Sequence, residues 1–332
     1  MNDFLNEFKS LGFFKIFAHM SFPRRRESSK RAIPIDSRLR GNDRMRGLKS
    51  LRQSLFFALF LLFSTNAVSA EEEKDVIRKT LRFADANADN WLEIDNIHGS
   101  INVRGHSGDE VLVVVNRTIW GRSADKIEEA KEEIVLDVYE RNDDITLFVD
   151  APYRAPDGSI NYRGSGRYGY KVTMDFEVTV PFGVNIELKT INDGEISVRN
   201  VRGDFKIKNV NGGVEMAGLS GSGKVYALNG EVKVAFDENP SKKSYFGSLN
   251  GDVEVTFRSR LSSDLFFKTF NGQVYTDFDF SKLPMRSKEK RRRDGKKMIY
   301  SSNKQFGVRI ENGGPELEFD AFNGNIYVLK KN

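Results

Sequence analysis

Apolar residues in the second half of the chain recur at fixed offsets from a series of glycines. In Leu228-Asn229-Gly230-Glu231-Val232-Lys233-Val234 they stand at −2, +2 and +4 from the glycine. Leu249–Val255 around Gly251, Phe270–Tyr275 around Gly272 and Phe322–Val328 around Gly324 repeat that text. Ile191–Val198 and Val210–Met216 are looser copies, and Ile97–Val103 around Gly99 is an early degenerate one. A period of two predicts half-buried β-strands. Leu228, Val232 and Val234 are expected to face one side, with Glu231 and Lys233 on the other. Asn-Gly tolerates positive φ at little steric cost, so each such pair is expected to reverse or corner the chain.

The glycines also keep time. They fall at 194, 203, 212, 221 and 230, nine apart, then at 251 and 272, each 21 further on. Turn chemistry alternates between successive nine-residue steps, so the unit is two strands in 18 residues, lengthening to 21 downstream. An antiparallel meander of hairpins fits this spacing. An all-β solenoid of about 18–21 residues per coil fits it better, because repetition near 20 residues marks stacked coils. Gly194, Gly212, Gly230, Gly251, Gly272 and Gly324 are its candidate corners, and 191–332 is the repeat region. Residues 91–190 read as a β-rich part with strands over 110–120, 144–150 and 170–180. A short helix is expected over 123–133 with Ser123 as N-cap. Residues 151–169 read as a loop and 71–90 as a linker.

Composition matters mainly once it is divided. The chain has 332 residues, 52 Lys+Arg, 47 Asp+Glu and no cysteine. Residues 1–70 carry net +8, leaving net −3 for 71–332, so the basic balance belongs to the leader. Met45–Arg52 is basic, Leu55–Phe63 is nine unbroken apolar residues, and Val68 and Ala70 stand before Glu71. That is the plan of a secretory signal over 45–70, cleaved after Ala70. The apolar run is too short to span a bilayer comfortably, which takes about 20 residues. Residues 1–44 fit no part of that plan. Phe22–Ser28 and Asp36–Asp43 resemble translated intergenic palindromic repeats of bacterial genomes, which implies a bacterial source and a start at Met45. Export then implies the periplasm, cell surface or medium.

No cysteine means no disulfide, zinc–thiolate site or cysteine nucleophile. Gly218–Val225 nearly spells a phosphate-binding loop. It lacks the Ser/Thr after Lys224, and a strand follows where a helix is needed, so no nucleotide site is assigned. His98 and His106 sit beside turns without a fixed set of partners, so no metal or other cofactor is expected. Glu195, Asp204, Glu231 and Asp252 each follow a corner glycine and would form an acidic row if stacked. Between Lys282 and Lys297 stand nine basic residues against Glu289 and Asp294. This basic insertion, 281–300, interrupts the repeat. Arg286, Lys288, Lys290, Arg291, Arg292, Arg293, Lys296 and Lys297 form a candidate polyanion-binding loop; the alternative is a plain solvated loop. Lipid phosphate or acidic polysaccharide suits an exported chain better than nucleic acid, and stacking aromatics are missing inside the loop.

The strand–Pro-x-Gly–strand text Val178-Thr179-Val180-Pro181-Phe182-Gly183-Val184, followed by serial Asn-Gly-x-Val-x-Val units, resembles the bacterial putative-adhesin β-repeat family. The resemblance covers roughly residues 90–330. It implies an exported all-β repeat protein of the cell envelope, non-enzymatic, that binds or scaffolds. Its partners would be anionic lipid, polysaccharide or other envelope proteins. The family supplies no catalytic residue to carry over. The corners here are Asn-Gly where the family has Ser-Gly, and the stretch after Phe280 breaks the period. The competing class is a carbohydrate-active β-helix enzyme using the acidic row. The leader generates one prediction: N-terminal sequencing of the exported protein should read from Glu71. Peptides from upstream of Met45, recovered from the native cells, would refute the Met45 start.

Overall fold

The computed structural model describes residues 71–141, 143–155, 159–160, 167–294 and 297–331, with 285–305 described by backbone alone. The signal segment and residues 1–44 lie outside the described residues. The described part is all-β, with two large sheets and one helix. Arg154 and Ile160 form an isolated antiparallel bridge, with Ala155 N–H donating to Ser159 O at 2.8 Å.

The repeat explains itself strand by strand. From Asn185 onward the chain alternates between sheets: β8 (Asn185–Thr190) in one, β9 (Ile196–Arg199) in the other. The pairs β10 (Phe205–Asn211) and β11 (Val214–Leu219), β12 (Gly223–Asn229) and β13 (Val232–Phe236), and β14 (Ser244–Asn250) and β15 (Val253–Arg258) continue it. Pairing is parallel throughout, β8·β10·β12·β14 in the larger sheet and β9·β11·β13·β15 in the smaller. An antiparallel meander therefore does not describe these strands. Asn-Gly is a corner between sheets, not a hairpin turn.

Parallel neighbours lie about 4.8 Å apart, and this spacing is why the corners are glycine. A Cβ on Gly212 would collide with the carbonyl oxygen of Gly194, one on Gly230 with that of Gly212, and one on Gly251 with that of Gly230. The reason is close backbone approach, and positive φ is not needed. Among the described residues the glycines with positive φ are Gly169, Gly218 and Gly313, which lie outside this column, and Gly99, which stands at its head. The corner also shifts the inward parity by one residue. Ala227 and Ser248, at −3, are buried, while Leu228 and Leu249 are half-buried on the outside. Polar residues three before Gly212 and Gly251, and four before Gly194, then serve the corner carbonyls. Thr190 Oγ1 donates to Gly99 O at 2.8 Å, Asn209 Nδ2 to Gly194 O at 2.9 Å and Ser248 Oγ to Gly230 O at 2.8 Å. A buried carbonyl left unmet costs about 1–3 kcal/mol, so these small polar residues are worth their place in the core.

Beyond Arg258 the spatial order parts from the sequence. β16 (Ser263–Thr269) and β17 (Val274–Thr276) follow at the expected 21-residue step, yet they do not pair with β14 and β15. The hairpin β18 (Ser281–Asp294) and β19 (Lys297–Ile310) comes next, β19 pairing antiparallel with β16. The C-terminal pair β20 (Glu316–Asn323) and β21 (Ile326–Lys331) then returns to lie between them. β20 sits between β14 and β16, and β21 between β15 and β17, all in parallel register. Between the sheets the phenylalanines stack: Phe246 on Phe319 at 5.4 Å, Phe319 on Phe267 at 5.1 Å, Phe236 on Phe257 at 5.3 Å.

At the other end, β2 (Trp91–Asp95) pairs with β8 and β3 (Ile101–His106) with β9, so Gly99 heads the glycine column. β6 (Asp144–Asp150) and β7 (Tyr170–Pro181) lie outside them, followed by β5 (Val135–Arg141) and β4 (Glu110–Gly121). Helix α1 (Ala124–Glu133) buries Ile127 and Ala130; Ser123 precedes it but makes no side-chain cap bond. Residues 71–82, read above as linker, form strand β1 (Glu71–Arg82), antiparallel to β4 along its whole length. Its sequence hides this because only Leu81 is buried; backbone pairing and ion pairs such as Arg117 with Asp75 hold it. The corners generate a stability prediction. Gly230→Val and Gly251→Val should each lower the free energy of urea unfolding by more than about 1 kcal/mol. Gly183→Ala, where a Cβ meets nothing within 4 Å, should stay within about 0.5 kcal/mol of the parent.

Candidate binding surface

The corner column carries a side-chain ladder outside the glycines. Asn211 Nδ2 donates to Asn192 Oδ1 at 2.8 Å, Asn229 to Asn211 at 2.9 Å and Asn250 to Asn229 at 2.8 Å. Asn323 donates to Asn250 and Asn271 to Asn323, both at 2.8 Å. The ladder therefore follows the spatial order, with the C-terminal coil between Asn250 and Asn271. Before Gly194, Asp193 takes a left-handed φ of 57°, which moves the ladder position back to Asn192. Sequence reasoning treated these asparagines as turn formers only. Their recurrence at −1 was the available signal. Beside the ladder, Phe270 stacks on Phe322 at 5.0 Å and Tyr275 on Tyr327 at 5.1 Å, and Phe270 is 74% exposed.

The acidic row divides into two columns. Glu195, Glu231 and Asp252 follow the glycines of the ladder column, whereas Asp204 follows Gly203, which stacks with Gly221 at the opposite corners. Asp204 accepts from Lys242 Nζ at 2.8 Å and from Ser222 N–H at 2.9 Å. Burial opposes its ionisation, but those donors prevail and hold its carboxyl below the ordinary range. Asp252 accepts the Asn325 N–H at 2.7 Å. Glu195 borders a shallow depression with Ser100, Asn102, Asp175 and Asp193. There Asp175 Oδ1 accepts from both N–H and Oγ–H of Ser100 at 2.8 Å. Asp204 and Asp252 thus tie neighbouring strands together.

His98 and His106 behave differently. His106 Nδ1 accepts from Gly108 N–H at 3.0 Å while Nε2 lies 2.8 Å from Glu110 O, which fixes the Nε2–H tautomer. His98 Nδ1 lies 3.2 Å from Asp193, which Lys171 also holds at 2.8 Å. Burial lowers the His98 pKa, and the Asp193 contact only partly offsets this. Among the described residues, no group of three or more His, Asp or Glu side chains is arranged to hold a metal ion. The near-phosphate loop spans the end of β11 and the start of β12, where Gly221 and Gly223 stack on Gly203 and Phe205.

The basic insertion is strand rather than loop along most of its backbone. Arg286 pairs with Gln305, Lys288 with Asn303, Lys290 with Ser301, Arg291 with Tyr300, Arg292 with Ile299 and Arg293 with Met298, closing at Asp294 and Lys297. Lys296 lies outside the described residues. In the sequence Asp294-Gly295 is a hairpin text that the density of charge masks. β16 meets β19 only at Phe306–Ile310, so residues 297–305 run past it. β18 is the edge of the larger sheet.

No protein-family model matches the chain, and no curated protein matches it. It is similar to the crystal structure of a putative cell adhesion protein from Clostridium sporogenes, at 12% identity and a TM-score of 0.36 over 79% of this chain and 100% of that one. A putative adhesin from Bacteroides fragilis gives 12% identity and a TM-score of 0.36 over 78% and 98%. A putative lipid binding protein from Parabacteroides distasonis gives 10% and 0.21 over 76% and 96%. Likeness this loose assigns no activity. Among the described residues, no helix is long and apolar enough to cross a membrane.

His98 generates a pH prediction. Its folded pKa is depressed, so its contribution is complete above the unfolded value of about 6.5 and fades as pH falls below it. The melting temperature should drop as the pH falls below about 6.5, and His98→Asn should flatten that part of the profile.

Proposed function

We propose that this chain is an exported envelope protein that binds and does not catalyse, and that residues 185–331 form a two-sheet β-solenoid. The parallel pairing, the glycine column and the asparagine ladder all support stacked coils. The reading is carried by the hairpin β18–β19. Its segment 282–297 has net +7, in a chain that is net −3 after residue 70. At about 3.3 Å per residue the nine residues 297–305 amount to an arm about 30 Å long beyond the pairing with β16. Cations held on such an arm suit a surface of phosphates or acidic sugars. Each contributes about 1 kcal/mol near an anionic membrane and less as salt screens it. The signal segment and the Met45 start belong to this same reading, with residence in the periplasm or at the surface.

The enzyme reading loses support because Asp204 and Asp252 are committed to hydrogen bonds between coils. The binding prediction is direct. The purified protein should bind phosphatidylglycerol vesicles and lipopolysaccharide more weakly as salt rises. Changing Arg291, Arg292, Arg293, Lys296 and Lys297 to Ser should weaken that binding about tenfold or more at low salt. Equal binding by both proteins would refute a surface role for the hairpin.

A further inference from the structure

The place of the C-terminal strand pair is not what local spacing calls for. Gly272 follows Gly251 by 21 residues, the same step that separates Gly251 from Gly230 and makes those two coils direct neighbours. β16–β17 therefore has the length and text of a coil that stacks directly on β14–β15. Its columns match as well. The larger sheet places Phe246, Phe319 and Phe267 in one register, and Ser248, Ala321 and Thr269 in the next inward position. At the corner Asn250, Asn323 and Asn271 are consecutive ladder members. If β20–β21 left, Phe267 would meet Phe246, Thr269 would meet Ser248, and Asn271 would meet Asn250. The vacated edges would close on each other with the same hydrogen bonds and the same phenylalanine column.

This removes the usual obstacle to withdrawing a central strand, which is two unpaired edges left in a hydrophobic core. The connection from β19 into β20 is suited to open. Residues 311–315 pass across the end of β16, with Glu311 at φ 50° and Gly313 at φ 74°. A non-glycine residue in the left-handed region is strained and gains by relaxing. Exchange of an identical element between copies is a low-cost route to association when the hinge permits it. We propose that the slot between β14–β15 and β16–β17 is a strand-exchange site. It is filled by residues 316–331 of the same chain in the monomer and by residues 316–331 of a second copy in a swapped dimer. The empty slot heals by direct contact of the β16–β17 coil with the β14–β15 coil.

The absence of cysteine makes this testable in the full chain. A disulfide needs Cα atoms about 4.4–6.8 Å apart, which adjacent corners offer and corners two strands apart do not. Asn250→Cys with Asn323→Cys in one chain should cross-link within the monomer, which establishes the described order. Asn250→Cys with Asn271→Cys should cross-link slowly in the full chain, reporting the healed slot. A copy carrying Asn250→Cys, mixed at high concentration with one carrying Asn323→Cys, should give a mixed disulfide dimer. The control mixture, Asn211→Cys with Asn323→Cys, should give none. Absence of the 250–271 cross-link, or equal yields from the two mixtures, would overturn the proposal. The hairpin cations enter neither result, so vesicle binding and strand exchange fail independently.

Discussion

Spacing between parallel strands is the constraint on which the other features depend. With parallel strands about 4.8 Å apart, the backbone at each corner touches the carbonyl of the corner before it. Only glycine fits at Gly212, Gly230 and Gly251, and the asparagine before each one is carried into line with its neighbours. The same spacing brings Phe246, Phe319 and Phe267 to ring-stacking distance and sets Ser248 beneath a carbonyl that needs a donor. Core, corner and surface ladder are thus three readings of one repeat distance. A chain without a single disulfide relies on this regularity for its cohesion.

The repeat was legible because Leu-Asn-Gly-x-Val-x-Val states strand, corner and strand in seven letters. Its strands, and the helix between Ser123 and Glu133, could be placed from alternation and turn chemistry alone. Three features could not. The parity shift at each corner is invisible, because Leu228 and Ala227 are both apolar and only the path of the corner decides which is inside. β1 carries too little apolar text to register as a strand, since its partner β4 supplies the burial. The intercalation of β20–β21 is the third. Local spacing favours β16 beside β14, and nothing in a 21-residue step reveals a competitor arriving from 73 residues downstream.

The candidate site was less legible than the fold. The charge of 282–297 stands out in any count, but Arg286 through Arg293 read as loop because so many lysines and arginines hide a strand period. The acidic residues after the glycines looked like one row; the alternation of corner columns sends Asp204 to the opposite side from Glu195, Glu231 and Asp252. The hydrogen bonds of Asp204 and Asp252 make these two carboxylates staples between strands, and Asp193 pairs with His98.

The ladder is also a polarised object. Each of these five links runs the same way, the amide N–H pointing toward the N-terminal side of the stack and the oxygen toward the next corner. Amide dipoles aligned head to tail strengthen one another. Their sum leaves the negative pole at Asn271, on the coil whose β16 strand carries the cationic arm. The arm is therefore attached where the array's own field is most favourable to positive charge.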